Sequence, residues 1–347
     1  MTGRRKTSRK STSPTMVEVA EAAKVSIFTV SAVVNGTSHV SDTLRARTES
    51  AIREIGYKRN GVARSLRLGR TKTVGVSVGD ITNSFYTDVV SIIQRVLHKA
   101  GYATMLCCND SSATIQEEQV ALMRDRMVDG LIISPTGNDK ALRKVVSQAD
   151  IPVVLIDRVL TGIECDFVVL ENKAAVREAA RYLIGLGHRR IGFISGMVDS
   201  FPGRERLAGY YTALDEAGLP LDSSLVQLGT FPDDGAREAA LKLLTGPSPP
   251  TAVLAVNNQA VLGLMKALRD LGMDCPRDIS VAGFDDFPWA DSFHPRLTTV
   301  AQPVHEIGEQ SAKLLLDRMA GAHGGSARRV VLNGRLMIRE SCRPPSD

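Results

Sequence analysis

Aromatic, arginine, amide and carboxylate side chains recur directly after the apolar runs in the later part of the sequence. Aromatic rings stack on sugar faces or heterocycles, while arginine, aspartate and asparagine exchange hydrogen bonds with hydroxyl groups. These residue types therefore indicate binding of a small polar ring compound. The candidates are Asp80, Asn83, Ser84, Phe85, Tyr86, Ser200, Phe201, Arg204, Arg206, Phe231, Asp233, Asn257, Asn258, Asp285, Asp286 and Trp289.

Signatures of catalysis, metal binding and membrane insertion are missing from the sequence. The six histidines are dispersed, and there is no nucleophile elbow, Gly-x-Gly-x-x-Gly fingerprint or P-loop. The five cysteines are scattered without metal-ligand spacing, which favours a reducing cytoplasm. No apolar run reaches the roughly 18 residues of a membrane span, and no apolar segment follows the basic N-terminus as in a secretory signal. We expect no enzyme, no cofactor, no metal and no membrane partner.

Alternating strands and helices must position the candidate ligand-binding residues. From Thr73 onward, apolar β-type runs alternate with helical stretches, which predicts right-handed crossovers and mostly parallel sheets in an α/β fold. A second, similar series begins after about Asn172. The segment from Pro303, with a helix to about Met319 and strands at 329–332 and 336–338, is expected to complete the first half. Open α/β sheets bind ligands at strand carboxyl ends, so the cleft between two lobes is the predicted ligand site.

Three short capped helices are predicted before this body. Thr15 and Glu18 have the spacing of a capping box, Ser26 precedes an apolar second helix ending near Gly36, and Ser41 precedes a third helix. A tight turn separates the first two helices. This is the helix-turn-helix layout, in which the second helix enters a DNA major groove.

Charge is distributed unevenly along the chain. Residues 1–72 hold 15 Lys or Arg and 5 Asp or Glu, a net charge of +10, whereas the rest of the chain carries −5. A basic head on a mildly acidic body indicates a polyanionic partner for the head alone. Residues 1–14 lack apolar periodicity and are predicted to be a basic disordered tail. The alternative is an arm that adds nonspecific phosphate contacts.

The head sequence closely resembles the DNA-binding head of lactose/galactose-repressor (LacI/GalR) family regulators. The matching stretches are TMVEVAEAAKVSIFTVSAVVNG and VSDTLRARTESAIREIGYKRNGVARSLR. The resemblance covers nearly the whole chain after residue 14. It continues in the family's order through GHRRIG at 187–192, GFDD at 283–286, LTTV at 297–300 and RES at 339–341.

The resemblance implies a helix-turn-helix head, a hinge and a two-lobed body like that of periplasmic sugar-binding proteins. The implied domains are the tail 1–14, the helix-turn-helix domain 15–58, the hinge 59–72, the N-terminal lobe 73–172 with 303–340, and the C-terminal lobe 173–302.

The resemblance also implies which head residues contact DNA. The positions of Ile27, Phe28 and Ala32 carry the family's base-edge contacts, usually through polar or basic side chains, but all three are apolar here. They cannot make bidentate hydrogen bonds to guanine or adenine, so contact with thymine methyl groups and A·T-tolerant readout are expected. The alternative is that Ile27 and Phe28 pack on the head's own core. The other head residues of the predicted DNA surface are Thr15, Thr29, Ser31 and Asn35.

The hinge resembles a family segment that becomes helical only on operator DNA. The predicted helix over residues 61–66 is too short to be stable alone. In the family, two hinge helices pair in the minor groove, where the residue matching Leu66 wedges between base steps. Arg64 and Arg67 belong to the same basic segment and are predicted DNA contacts. The alternative for Leu66 is ordinary packing within a linker.

The family's effector-contacting positions give a narrower set of ligand-binding candidates. Asn258 replaces the aspartate usual beside Asn257, and Glu171 stands where the family often has aspartate. A sugar or sugar acid is the first expectation for the effector. The matching positions are Phe85, Tyr86, Arg206, Phe231, Asn257 and Asp285.

Together these features predict a cytoplasmic transcription regulator of repressor type. It is expected to bind a palindromic operator as a homodimer and to change its DNA affinity when a small molecule binds between the lobes. A solute-binding protein for import is an alternative that the basic head opposes. An enzyme acting on sugars is a third hypothesis, for which the sequence offers no paired acid and base at a suggestive spacing.

Overall fold

The computed structural model divides into two compact units, Met1–Thr71 and Lys72–Asp347. The described residues are 14–36, 39–58, 69–137, 140–147, 150–229, 234–287, 290–292, 294–321 and 325–345.

Helices α1 (Met16–Ala23), α2 (Ile27–Asn35) and α3 (Asp42–Ile55) form the described part of the first unit, the head. The predicted capping box is confirmed. The Thr15 N–H donates to the Glu18 carboxylate at 2.6 Å, and the Glu18 N–H donates to the Thr15 hydroxyl at 3.4 Å. Ser26 caps α2, accepting the Thr29 N–H at 3.1 Å. Ser41 occupies the N-cap position of α3 but makes no capping hydrogen bond through its side chain.

The turn between α1 and α2 is held by a long-range contact from α3. Lys24 ends α1 in the left-handed conformation at φ 51°, which leaves the last carbonyls of α1 without helical partners. The Arg47 guanidinium donates to the carbonyls of Ala23, at 2.6 Å, and Lys24, at 3.2 Å. Hydrogen bonds from α3 therefore stabilise the angle between α1 and α2. The core beneath it contains Val19, Ala20, Ala23, Val30 and Ala51.

The second unit, the body, alternates strands and helices. In chain order they are β1 (Thr73–Val78), α4 (Ser84–Lys99), β2 (Ala103–Cys108), α5 (Ala113–Asp125), β3 (Gly130–Ile133), α6 (Lys140–Ser147), β4 (Val153–Ile156), β5 (Asp166–Leu170), α7 (Asn172–Gly185), β6 (Ile191–Ser195), α8 (Phe201–Glu216), β7 (Val226–Leu228), α9 (Gly235–Leu244), β8 (Ala252–Ala255), α10 (Asn258–Leu271), β9 (Ser280–Phe284), β10 (Thr298–Ala301), α11 (Val304–Met319), β11 (Arg329–Leu332) and β12 (Arg335–Met337).

The described strands form two six-stranded sheets, one in each lobe. The first has the order β11-β5-β4-β3-β1-β2 and is parallel throughout. The second has the order β12-β10-β9-β8-β6-β7, with only β12 antiparallel. The central strands β3, β6, β8 and β9 are buried at every position, as expected where helices cover both sheet faces. The predicted two-lobed α/β architecture is confirmed.

Two strands were not predicted from the sequence. They are β5 and β10, which begin with polar residues and contain only short apolar runs. In β5 the first residue, Asp166, is buried against Arg318 and Arg328, at 2.8 Å and 3.3 Å. Such a strand becomes recognisable only when its charged partners, more than 150 positions away, are known.

The C-terminal segment corrects the predicted division of the lobes. Helix α11 packs on α4, and β11 joins the first sheet, as expected. However, β12 pairs with β10, so the expectation that this last strand completes the first half is wrong. The short connection contains Gly334, where a Cβ atom would lie 3.1 Å from Val300 Cγ1 and 3.2 Å from Ala175 Cβ. Glycine therefore lets the chain pass closely from one sheet to the other.

Among the helices that the structure describes, none is long and apolar enough to span a membrane.

Candidate nucleic-acid interface and ligand cavity

The start of α2 presents two large apolar side chains to solvent. Ile27 is 52% exposed and Phe28 is 71% exposed, and neither belongs to the head core. The alternative that they pack on that core is therefore wrong. Ala32 was expected on the same outer face but is buried, at 3%. Its methyl group extends only a short distance from the backbone, so neighbouring groups cover it, unlike the larger side chains of Ile27 and Phe28.

The polar side chains of α2 are engaged with one another. The hydroxyls of Ser26 and Thr29 lie 2.9 Å apart, and the Asn35 amide donates to the Ser31 carbonyl at 2.7 Å and to its hydroxyl at 3.0 Å. The outer surface of this helix is consequently more apolar than its composition indicates.

Thr15 is likewise committed to the capping box. Hydrogen bonds from the Thr15 backbone and side chain lower the pKa of Glu18 from its ordinary value.

The predicted contacts Arg64, Leu66 and Arg67 lie outside the described residues.

A cavity of about 430 Å³ lies in the body at the carboxyl ends of strands from both sheets. This is the position expected for a ligand site in doubly wound α/β lobes. The first lobe contributes Asp80, Asn83, Phe85, Tyr86, Asp157 and Arg158, and the second contributes Ser200, Arg206, Asn257, Asn258 and Asp285.

Arg206 on α8 lines this cavity although only 8% of it is exposed. Its Nε donates to Asn172 Oδ1 at 2.8 Å, its Nη1 donates to the Val256 carbonyl at 2.6 Å, and the guanidinium lies 3.9 Å from the Phe284 ring centroid. Burial lowers the pKa of Arg206, while the charges of Asp285 and Asp157 oppose that shift. These contacts hold a rigid cation at the cavity wall.

Asp285 follows β9 and is buried, at 7% exposure. Its carboxylate accepts a hydrogen bond from Gln302 at 2.6 Å and another from the backbone N–H of Asn258 at the start of α10. Burial nevertheless raises the pKa of Asp285, because desolvation outweighs the attraction of Arg206. A buried carboxylate with a nearby guanidinium is suited to binding ligand hydroxyl groups.

Asp157 and Arg158, which directly follow β4, were missed in the sequence analysis. The Tyr86 hydroxyl donates to Asp157 Oδ2 at 2.8 Å, and Arg158 Nε lies 3.4 Å from the same oxygen. Burial, followed by the nearby Asp157 charge, raises the pKa of Tyr86, so its hydroxyl stays a donor. Applying the strand-end rule to β4 would have identified both residues.

Asp157 and Asp285 occupy corresponding places in the two lobes. β4 and β9 are each third in the order of their sheets, and both aspartates have left-handed backbones, at φ 63° and 70°. Aspartate is one of the few non-glycine residues that adopts this conformation, yet it is still strained there. In each lobe, an aspartate with a left-handed backbone conformation thus places one carboxylate at the cavity.

A buried polar network supports the first-lobe wall. Gln116 donates to the Ser77 hydroxyl at 3.2 Å and to the Ser134 carbonyl at 2.9 Å, and accepts the Thr136 N–H at 3.0 Å. The Ser134 hydroxyl lies 3.0 Å from the Tyr86 hydroxyl. This network fixes Tyr86, and no sequence motif indicated it.

The two lobes touch directly beside the cavity. Asn258 Nδ2 donates to Asn83 Oδ1 at 3.0 Å and lies 3.4 Å from the Ser84 hydroxyl. Asn83 Oδ1 also accepts the Phe85 N–H at 3.0 Å, which identifies that atom as the oxygen. Asn258 is therefore the donor across the cleft, a role that the family's usual aspartate lacks.

The structure brings five of the six predicted effector residues to the cavity, and Phe231 lies outside the described residues. Phe85 packs edge-on against Tyr86 with ring centroids 5.1 Å apart. Asn257 lines the cavity but also caps α10, accepting the Ala260 N–H at 2.6 Å.

A helix-turn-helix head on the same chain as two α/β lobes enclosing a polar cavity defines a ligand-sensing, DNA-binding regulator. The model of the bacterial regulatory proteins, lacI family, matches residues 15–60, and that of the periplasmic binding protein-like domain matches 180–342.

The HTH-type transcriptional repressor PurR of Vibrio atlanticus is 33% identical over 306 residues, covering 88% of this chain and 92% of the relative. The ribose operon repressor of Escherichia coli K12 is also 33% identical, with 88% and 93% covered. The lac repressor dimer bound to operator and the anti-inducer ONPF superposes with a TM-score of 0.85 at 26% identity, covering 95% of this chain and 99% of that one. The chain belongs to the lacI family of bacterial regulatory proteins, which confirms the predicted family and its class of transcription regulator.

Proposed function

We propose that this protein is a cytoplasmic repressor that binds a palindromic operator as a homodimer and responds to a small polar effector. The observation that carries the proposal is the presence, on one chain, of a helix-turn-helix head and a cavity lined by charged side chains from two lobes. The net charge of +10 over residues 1–72 supports a nucleic-acid partner. The lac repressor, which this chain resembles over its length, is a dimer bound to operator in the structure compared. The proposal assigns no catalytic step.

Regulation follows from ligand contacts with both lobes. An effector in the cavity would contact Tyr86 and Asp157 of the first lobe and Arg206 and Asp285 of the second. Such a ligand favours the lobe arrangement in which all four groups reach it. If operator DNA favours a different arrangement, the two affinities are linked reciprocally.

The charges of the cavity favour a neutral sugar as effector. The buried Arg206 and the half-buried Arg158 are balanced by the half-buried Asp157 and the buried Asp285, while the further carboxylates of Asp80 and Asp110 also line the cavity. Among the described residues that line the cavity, carboxylates therefore outnumber guanidinium groups, so a ligand carboxylate would add a negative charge at a large desolvation cost. Hydroxyl groups can instead use the existing donors and acceptors. The relative named as a ribose operon repressor supports this class, and a sugar acid is the second candidate.

The proposed contact residues follow from the geometry and the family resemblance. We withdraw Ala32 from the DNA surface because it is buried. The proposed DNA contacts are Thr15, Ile27, Phe28, Thr29, Ser31, Asn35, Arg64, Leu66 and Arg67. The proposed effector contacts are Phe85, Tyr86, Asp157, Arg158, Arg206, Phe231, Asn257 and Asp285.

The test begins by selecting duplexes from a random pool with the full-length protein. Fluorescence anisotropy on the selected duplex then measures DNA affinity with and without pentoses, hexoses and aldonic acids. At least one neutral sugar is expected to change the affinity roughly 5- to 150-fold, the usual range of coupling between two sites. Failure to enrich any sequence would refute operator binding. Enrichment with a response only to aldonic acids would refute the neutral-sugar class alone.

A further inference from the structure

The recognition helix of the head presents an apolar, uncharged surface at its leading end. Its sequence, IFTVSAVVN, contains no ionisable residue, and its first two side chains, Ile27 and Phe28, are 52% and 71% exposed. Large apolar side chains side by side in water lose the stabilisation that burial would give them. Their exposure at the N-terminal end of a recognition helix therefore indicates a partner at this surface.

The polar side chains of α2 bond to one another along the helix. The Thr29 hydroxyl lies 2.9 Å from the Ser26 hydroxyl, and the Asn35 amide nitrogen donates to the Ser31 carbonyl and hydroxyl. These contacts use part of their hydrogen-bonding capacity locally. Ile27 and Phe28, by contrast, are exposed and have no polar group to satisfy.

The major groove contains one apolar feature, the C5-methyl group of a pyrimidine. The other groups by which base pairs are distinguished there are hydrogen-bond donors and acceptors, which Ile27 and Phe28 cannot satisfy. The N-terminal residues of a recognition helix are those that reach the base edges. We propose that Ile27 and Phe28 form a clamp that reads pyrimidine C5-methyl groups in each operator half-site. This inference rests on the proposed operator binding and specifies what the head recognises.

Two pyrimidine bases carry a C5-methyl group in DNA. Thymine carries the methyl group in every A·T pair, and 5-methylcytosine carries it at the same ring position. A side chain that recognises only the methyl group accepts both, whereas unmodified cytosine and uracil lack it. Cytosine methylation at the right step would thus strengthen binding by this protein without any change of sequence.

The experiment uses the full-length protein and the duplex selected above. Each thymine is replaced singly by deoxyuridine, which removes only the methyl group. Loss of one contacted methyl is expected to weaken binding about 3- to 5-fold, and symmetric loss in both half-sites about 10- to 25-fold, as for one buried apolar carbon per site. Exchanging a contacted T·A pair for 5-methylcytosine·guanine is expected to retain more affinity than exchange for unmodified cytosine·guanine.

Protein variants connect the DNA effect to this surface. Ile27→Ala and Phe28→Ala remove exposed side chains, so the head should stay folded. In each variant, replacing the thymine that the missing side chain contacts by deoxyuridine should no longer weaken binding. Val17→Ala is the matched control, because Val17 is 51% exposed on α1 of the same head. It should leave the deoxyuridine effect unchanged.

The outcomes separate this inference from the proposed function. Enrichment of a sequence whose binding tolerates every deoxyuridine substitution would overturn methyl readout while leaving operator binding intact. Deoxyuridine effects that remain unchanged at every position in both Ile27→Ala and Phe28→Ala would also overturn it. Absence of any enriched sequence would instead refute operator binding itself.

Discussion

The head exposes large apolar side chains, whereas the body buries charged ones, and both depart from the usual burial of apolar residues and exposure of charged residues. The head exposes Ile27 and Phe28, whereas the body buries two charged residues, Arg206 and Asp285, each under 9% exposed. Apolar groups in water and charges out of water are both unfavourable without a partner. Each exception coincides with a predicted binding surface.

The exposed apolar residues of the head and the buried charged residues of the body differ in how strongly they contact the surrounding fold. Ile27 and Phe28 are exposed and lie outside the head core, so changing them should affect recognition more than folding. Arg206 is tied to Asn172, Val256 and Phe284, so changing it affects both recognition and the surrounding wall. A mutation in the cavity therefore requires a stability measurement, while one on the α2 surface mainly requires a DNA-binding measurement.

The largest predicted effect is a loss of stability on replacing Asp166, a buried carboxylate outside the cavity. Asp166→Asn should lower the free energy of unfolding of the body by about 3 kcal/mol, because Arg318 and Arg328 would lose their buried anion. Urea unfolding at neutral pH measures this. Asp317→Asn removes a more exposed partner of Arg328 and should cost less than about 1 kcal/mol. Equal losses would show that burial does not distinguish these pairs.

The Asp166 contribution should depend on pH in a defined direction. Burial alone would raise the pKa of Asp166, but hydrogen bonds from Arg318 and Arg328 outweigh it and hold the pKa below the ordinary 3.8. The contribution is therefore present above pH 3.8 and is lost as the pH falls through the folded-state value. Unfolding free energies of wild type and Asp166→Asn should converge on acidification, and a constant difference would contradict the assignment.

Arg206→Ala tests whether the cavity charge serves ligand binding. We expect affinity for the sugar that changes DNA binding by the wild type to fall roughly 30-fold, about 2 kcal/mol, because a charged donor is lost. Calorimetry measures the affinity, and a thermal melt of the same sample reports folding.

Two variants control the Arg206 experiment. Arg206→Lys retains charge without the planar fork and should recover only part of the affinity. Arg204, a ligand-binding candidate from the sequence, is exposed on α8 and does not line the cavity, so Arg204→Ala should leave sugar affinity unchanged. An unaltered isotherm for Arg206→Ala would place the ligand elsewhere.

A smaller effect is expected where the lobes meet. Asn258→Asp should weaken sugar affinity roughly tenfold, because a carboxylate cannot donate to Asn83 Oδ1 and would face that oxygen across the cleft. Gln259→Glu adds the same charge at the neighbouring residue, which also lines the cavity but is exposed, and should weaken affinity less than Asn258→Asp does. If both variants weaken binding equally, charge rather than the cross-lobe hydrogen bond is responsible.

The smallest effect concerns the caps of the head. Thr15→Ala should destabilise the head by about 1 kcal/mol because it removes one side of the capping box. Ser41→Ala is the matched control, since Ser41 makes no side-chain capping bond, and it should be close to neutral. Amide hydrogen exchange in α1 and α3 of the full chain compares them. A larger effect from Ser41→Ala would contradict the described caps.

The sequence predicted the features that depend on neighbouring residues. The capping box at Thr15, the helix end at Gly36, and the alternation of strands and helices all follow from contacts within a few positions. The strand-end rule likewise located five effector candidates at one cavity, because parallel strands place their carboxyl ends on the same edge.

Tertiary structure alone decided the features that depend on distant partners. It placed β12 in the second sheet, buried Ala32, paired Asp166 with arginines far along the chain, and joined the lobes through Asn258. None of these follows from local propensity. Each is set by which surfaces the fold brings together and by whether a buried polar group meets its partner there.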